Sequence, residues 1–140
     1  MGYASNIQSM LDELVLRLKE ITSLQNRVYK GYRVKITNYP TILVHFYEDN
    51  PEEIRITQRY HKVLFRIVLK DRVSVAENSE TQTSNWITRI GEVMDKLDEY
   101  ITNPPKWDRL QIGRSRFTFG QEGTFIIYSA LIPITLYKSF

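Results

Sequence analysis

The sequence predicts a single α+β domain over residues 1–140, with a mainly antiparallel sheet of four or more strands and two amphipathic helices packed on one face. Three observations predict it. Apolar residues recur at helical spacing in two stretches, one near the start and one around residue 90. Period-two alternation marks the segments between and after them. The order helix, strands, helix, strands lets both helices lie on one side of a sheet. The chain has 140 residues, enough for one core and too few for two, and no repeat or linker divides it.

The first helix is expected over residues 6–20, where Ile7, Met10, Leu11, Leu14, Val15, Leu18 and Ile21 form one stripe and Ser5 or Asn6 supplies the cap. Leu16 falls off that stripe. Residues 22–38 read as a connection with a short strand near 32–36. Tyr39-Pro40 favours extended backbone and opens a strand over 41–48, with Ile42, Val44 and Phe46 on one face and Thr41, Leu43, His45 and Tyr47 on the other. Residues 48–51 read as a turn, and 54–69 should return antiparallel to the first strand. Within that return, residues 59–70 (RYHKVLFRIVLK) separate cleanly. Val63, Phe65, Ile67 and Leu69 make a core face, whereas Lys62, Arg66 and Lys70 alternate with Tyr60, Leu64 and Val68 on the other. A face that mixes cations with large apolar groups suits contact with another protein better than contact with water.

Residues 71–84 read as a polar loop or hairpin extension that runs into a helix cap at Thr83 or Ser84. The second helix is expected over 85–101, its stripe formed by Trp86, Ile87, Ile90, Val93, Met94, Leu97, Tyr100 and Ile101, and Asn103-Pro104-Pro105 stops it. Strands follow at 109–112 and 116–119, then a hairpin turn at 120–123 and a long strand over 124–137. Both faces of that last strand are apolar. Pro133 within it should mark an edge section or a bend.

Composition narrows the function. The chain has no cysteine, which excludes disulfides, thiolate nucleophiles and cysteine-ligated zinc. Its net charge of +3 comes without a concentrated basic run, so nucleic acid is not implied by charge alone. The first eighteen residues lack a basic leader and carry Asp12 and Glu13, which fits neither a signal peptide nor a membrane span and leaves cytoplasmic synthesis as the expectation.

Candidate chemistry is sparse. His45 and His61 fall on neighbouring strands and could approach each other, but without a third ligand they read as polar sheet residues. Glu48, Asp49, Glu52 and Glu53 read as a solvated turn, and residues 120–123 lack the Lys-Ser/Thr and helix of a phosphate loop. Basic and aromatic residues interleave at 27–33 and 59–66 as in single-stranded nucleic-acid sites, although packed aromatics with solvated cations explain the pattern more simply. Neither an enzyme nor a cofactor or metal is expected.

The order of elements carries a resemblance. An amphipathic first helix is followed by the Tyr-Pro-Thr-Ile-Leu-Val strand at 39–44, a Glu-rich turn, the Arg-x-His-x-Val-x-Phe-x-Ile-x-Val strand from residue 59, a long loop and a helix over 86–101. Together these resemble the tail terminator (tail completion, tail-to-head joining) proteins of long-tailed bacteriophages. The resemblance implies a homohexameric ring that caps the tail tube, ends tube polymerisation and offers the head connector its binding surface. Its partners would be further copies of itself, the tail tube protein and the connector or neck protein, with no membrane, and DNA only passing through the lumen. It would assemble in the host cytoplasm and end in the virion tail. On that reading Leu43, His45, Tyr47, Tyr60, Lys62, Leu64 and Arg66 form a subunit interface, and Glu52, Glu53, Arg72 and Glu77 reach the tube or connector. Another head-tail neck protein, or a nucleic-acid-binding module, are the alternatives.

Overall fold

The computed structural model describes residues 2–31, 35–36, 38–55, 58–76, 78–101 and 106–140, the side chains of 53–55 and 58 excepted. In chain order the elements are helix α1 (Tyr3–Leu18), a 3-10 turn (Thr22–Leu24), strands β1 (Val28–Lys30), β2 (Thr41–Asp49), β3 (Glu52–Arg55) and β4 (Gln58–Ser74), helix α2 (Ser79–Asp98), and strands β5 (Arg109–Ile112), β6 (Arg116–Glu122) and β7 (Phe125–Ser139). The fold is α+β. Among the described residues all seven strands join one sheet, antiparallel except for the β1–β2 pair.

β4 and β7 form the spine, paired from Tyr60↔Ser139 to Ser74↔Phe125. Each carries two shorter strands end to end along its outer side: β2 and β3 on β4, β5 and β6 on β7. Alternation then divides every residue between two faces. Val63, Phe65, Ile67 and Leu69 of β4, Ala130, Ile132, Ile134 and Leu136 of β7, and Ile42 and Val44 of β2 form one buried cluster with Met10, Leu14 and Leu18 of α1 and Val93 and Leu97 of α2. Both helices therefore lie on the same face, as the periodicity predicts.

Several boundaries differ from expectation. α1 starts at Tyr3 after Gly2, with no side-chain cap; Asn6 lies inside the helix and its amide donates to the Gly2 carbonyl at 3.0 Å. Residues 32–34 lie outside the described residues, and the edge strand found in this region is β1, parallel to β2. Residues 48–51 do not reverse the chain. Asp49 still pairs with Val63 and Glu52 already pairs with Tyr60, so Pro51 interrupts an edge and the reversal comes after the Arg55↔Gln58 pair.

Over residues 71–74 the chain is a hairpin extension, and the helix cap falls earlier than Thr83 or Ser84. β4 continues to Ser74, and Asn78 caps α2 by accepting from the Glu80 and Thr81 amides at 2.9 and 3.2 Å. Gln82 takes the next inward position and is buried, its amide donating to the Ser74 carbonyl at 2.7 Å. Ile87, expected on the stripe, is 63% exposed. Asn103-Pro104-Pro105 lies outside the described residues.

Pro133 is no edge residue. β7 is flanked on both sides, and Pro133 pairs with Arg66 while its carbonyl accepts from the Gly113 amide at 2.8 Å. Its ring nitrogen points to the same side as that carbonyl, into the break between β5 and β6, where a missing N–H costs no ladder bond. Gly113 suits the break, because a Cβ there would stand 3.1 Å from the Pro133 ring. The final hairpin is tighter than expected: Glu122 pairs with Phe125, Gly120 stays in β6, and Gly123 adopts φ 62° at the turn.

Candidate subunit interface

The face of the sheet opposite the helices is built by the even residues of β4 and the odd residues of β7. Register adds His45 opposite Arg66, Glu48 opposite Leu64, Glu52 opposite Tyr60, Arg116 opposite Leu131 and Arg109 opposite Tyr137. Directly paired residues share a face. Among the strand residues whose side chains are described, six cations therefore stand on it, Lys62, Arg66, Lys70, Arg72, Arg109 and Arg116, against three carboxylates, Glu48, Glu52 and Glu122. Between them lie Leu64, Val68, Ile127, Leu131 and Pro133, which are half-buried.

Three of the cations lie over rings. The Arg66 guanidinium lies 3.4 Å from the centre of the Tyr47 ring, Arg72 4.4 Å from Phe125 and 5.1 Å from Tyr39, and Arg109 5.2 Å from Tyr137. Lys62 and Glu52, 3.6 Å apart, make the one ion pair on this face among the described residues. Arginines parked on aromatic rings keep their charge and most of their donors available to a partner. At the centre, Val68, Leu131, Ser129 and Thr118 floor a groove of about 360 Å³, with Lys70 and Arg116 in its lining.

The expected interface residues gather on this face with one exception. His45, Tyr60, Lys62, Leu64 and Arg66 are half-buried and Tyr47 is 49% exposed. Leu43 is 0% exposed within the chain itself, so it supports the face without reaching its surface. Burial, and then the neighbouring Arg66 charge, hold the His45 imidazole below the usual histidine range. Of the residues expected to touch tube or connector, Glu52 and Glu53 belong to strand β3, and Arg72 of β4 stands on the same sheet face. The Glu53 side chain and Glu77 lie outside the described residues. Lys70 is legible from alternation in β4, whereas Arg109 and Arg116 are not, because only register through β7 brings them onto this face.

The two histidines do not meet. They face opposite sides of the sheet: His61 is one of the inward, odd positions of β4, whereas His45 pairs with Arg66, an outward, even one. Asp49 is not part of a solvated turn either. Its carboxylate accepts from His61 Nδ1 at 2.7 Å, and both side chains are 6% exposed. The His61 ring also stacks on Phe140 at 3.6 Å, with Nε2 3.2 Å from the Phe140 main-chain oxygen, and Tyr3 packs against both rings. This cluster ties the end of β2 to the end of β7. Among the described residues no three His, Asp or Glu side chains are placed to share a metal ion, and no helix is long and apolar enough to cross a membrane.

No protein-family model matches the chain, and no curated protein does. Among solved structures, a chain from the virion of a native gene transfer agent particle aligns over 89% of this chain and 92% of its own length, with a TM-score of 0.45 and 7% identity.

Proposed function

We propose that this chain is a structural virion protein, a tail terminator that closes into a ring, taken as a hexamer, on the end of a phage tail tube. The ring stops tube polymerisation and gives the head connector its docking surface. One observation carries the reading: beyond the β2 end, where Thr41 and Leu43 are buried, the sheet face opposite the helices alternates cations with half-buried apolar residues along β4 and β7, and no helix among the described residues packs on it. That is the surface a subunit of a closed assembly needs, and the order of elements in the sequence resembles the terminator family. A head-tail neck protein would use the same surface on different partners.

The test is electron microscopy of the purified protein, alone and mixed with purified tail tubes. Rings with a central pore, seated on tube ends, are expected. Tails assembled without this chain should be irregular and over-long; tails of normal length would refute the terminator role. A nucleic-acid-binding module would instead bind oligonucleotide with an affinity that falls steeply with salt.

A further inference from the structure

The cationic sheet face has an electrostatic complement on the same subunit. Along α1, α2 and the residues that follow them, 3–20 and 79–99, the exposed charged residues are Asp12, Glu20, Glu80, Asp95, Asp98 and Glu99 against a single base, Lys19; Asp12 is paired with Lys30 of β1, and Glu20 and Glu99 with bases of the layer itself, which leaves Glu80, Asp95 and Asp98 as its outward acids outside those ion pairs. The other cations of the layer are half-buried and already paired: Arg17 with Glu13 and Glu20, Arg89 with Asp71 and Glu92, Lys96 with Glu20 and Glu99. The helical layer thus presents acid outward, with Leu16 and Ile87 exposed among the carboxylates, at 56% and 63%. Among the described side chains, the strands of the opposite face present six cations to three carboxylates around an apolar groove.

We propose that the outer sheet face of one copy docks on the helical layer of the next, so that the subunit contact is heterologous and joins the two opposite sides of the domain. The proposal rests on the ring reading above and names the two surfaces that close the ring. Opposite signs on opposite sides attract head to tail and repel face to face, which selects the repeating contact a ring requires over a two-fold dimer. The apolar strips between the charges supply the buried area, and neither Leu131 nor Val68 would gain from a phosphate backbone in their place.

The experiment is a charge swap read by mass photometry and light scattering at low ionic strength. Lys70→Glu/Arg116→Glu reverses the groove lining, and Asp95→Lys/Asp98→Lys reverses the end of α2, where added cations also favour the helix dipole and so preserve folding. Each variant, melting like the parent, should self-associate at least about tenfold more weakly. Mixed in equal amounts they should assemble again, in even-numbered oligomers, because each then offers the charge the other has lost. If the helix variant associates like the parent, or the mixture stays as dissociated as its components, the helical layer is not the partner. A parent that forms pored rings insensitive to these swaps overturns this proposal and leaves the ring reading intact. Swap-restored assembly that never seats on tail tubes overturns the tail role alone. A parent that stays monomeric and binds a single-stranded oligonucleotide through Lys70 and Arg116 overturns both.

Discussion

Removing the His61 side chain should be among the most damaging single changes to this fold. His61→Ala deletes the partner of a carboxylate that is 6% exposed and sits 2.7 Å from Nδ1. Asp49 would be left as a buried charge without its counterpart, a situation that costs about 3–5 kcal/mol when one member of a buried pair is removed. The stacked Phe140 ring would lose its neighbour at 3.6 Å as well. For a domain of this size the loss corresponds to a drop of about 10–15 °C in Tm. Asp49→Asn keeps an acceptor for Nδ1 and should cost only about 1 kcal/mol. Replacing both residues with leucine should cost at least about 2 kcal/mol less than the sum of the two single replacements, because no orphaned charge remains. Urea unfolding of the five variants, the two single leucine replacements included, measures all of this. A loss below about 1 kcal/mol for His61→Ala, the range of an exposed pair, would refute the account of the pair as buried and mutually dependent.

Two further predictions follow from other parts of the structure. Asn78→Ala removes the acceptor for the Glu80 and Thr81 amides and should destabilise the protein by about 1 kcal/mol, with amide exchange rising in the first turn of α2 before the rest. His45 should titrate below the usual 6.5 in the folded state, since burial and then Arg66 oppose its protonation. The unfolded chain then takes up the proton first as pH falls, so the stability that neutral His45 contributes is present above about pH 6.5 and is lost through the depressed native pKa. His45→Gln should flatten the fall in urea midpoint between about pH 7.5 and 5.5 relative to the parent. An NMR titration midpoint at or above the ordinary histidine value would show the sign to be wrong.

What the sequence makes legible here is what period alone can encode. Val63, Phe65, Ile67 and Leu69 face the core because alternation on a strand leaves no other outcome, and the stripe from Ile7 to Leu18 is fixed by helical spacing in the same way. Element limits were harder to read where a polar residue holds an inward position. Gln82 satisfies its amide on the Ser74 carbonyl and so breaks the apolar pattern that would have carried α2 back to its Asn78 cap. Pro133 and Pro51 misled for a related reason: each removes a donor, and whether that marks an edge depends on which side of the strand the donor would face. In β7 that side is the gap beside Gly113, a long-range fact absent from local sequence.

The same limit governs the candidate interface, and it explains why the surface became specific only with the register in hand. Alternation in β4 already separates Lys62, Arg66 and Lys70 from the core, but a strand read alone gives a line of charge. Pairing converts that line into an area, because β7 contributes Leu131 and Pro133 beside Val68 and Arg66, and β6 sets Arg116 across from Leu131. It also removes Leu43, which shares the face by parity and yet is fully covered. The helical layer shows the converse. Its acids look unremarkable as the solvated side of two amphipathic helices, and gain meaning because they outnumber the bases: with Arg17 and Lys96 paired to Glu13, Glu20 and Glu99, and Arg89 to Asp71 of β4 and Glu92, the outward Glu80, Asp95 and Asp98 face only Lys19 as an exposed base of the two helices. A subunit whose opposite sides carry unbalanced and opposite charge has a direction, and a direction is what a head-to-tail assembly requires.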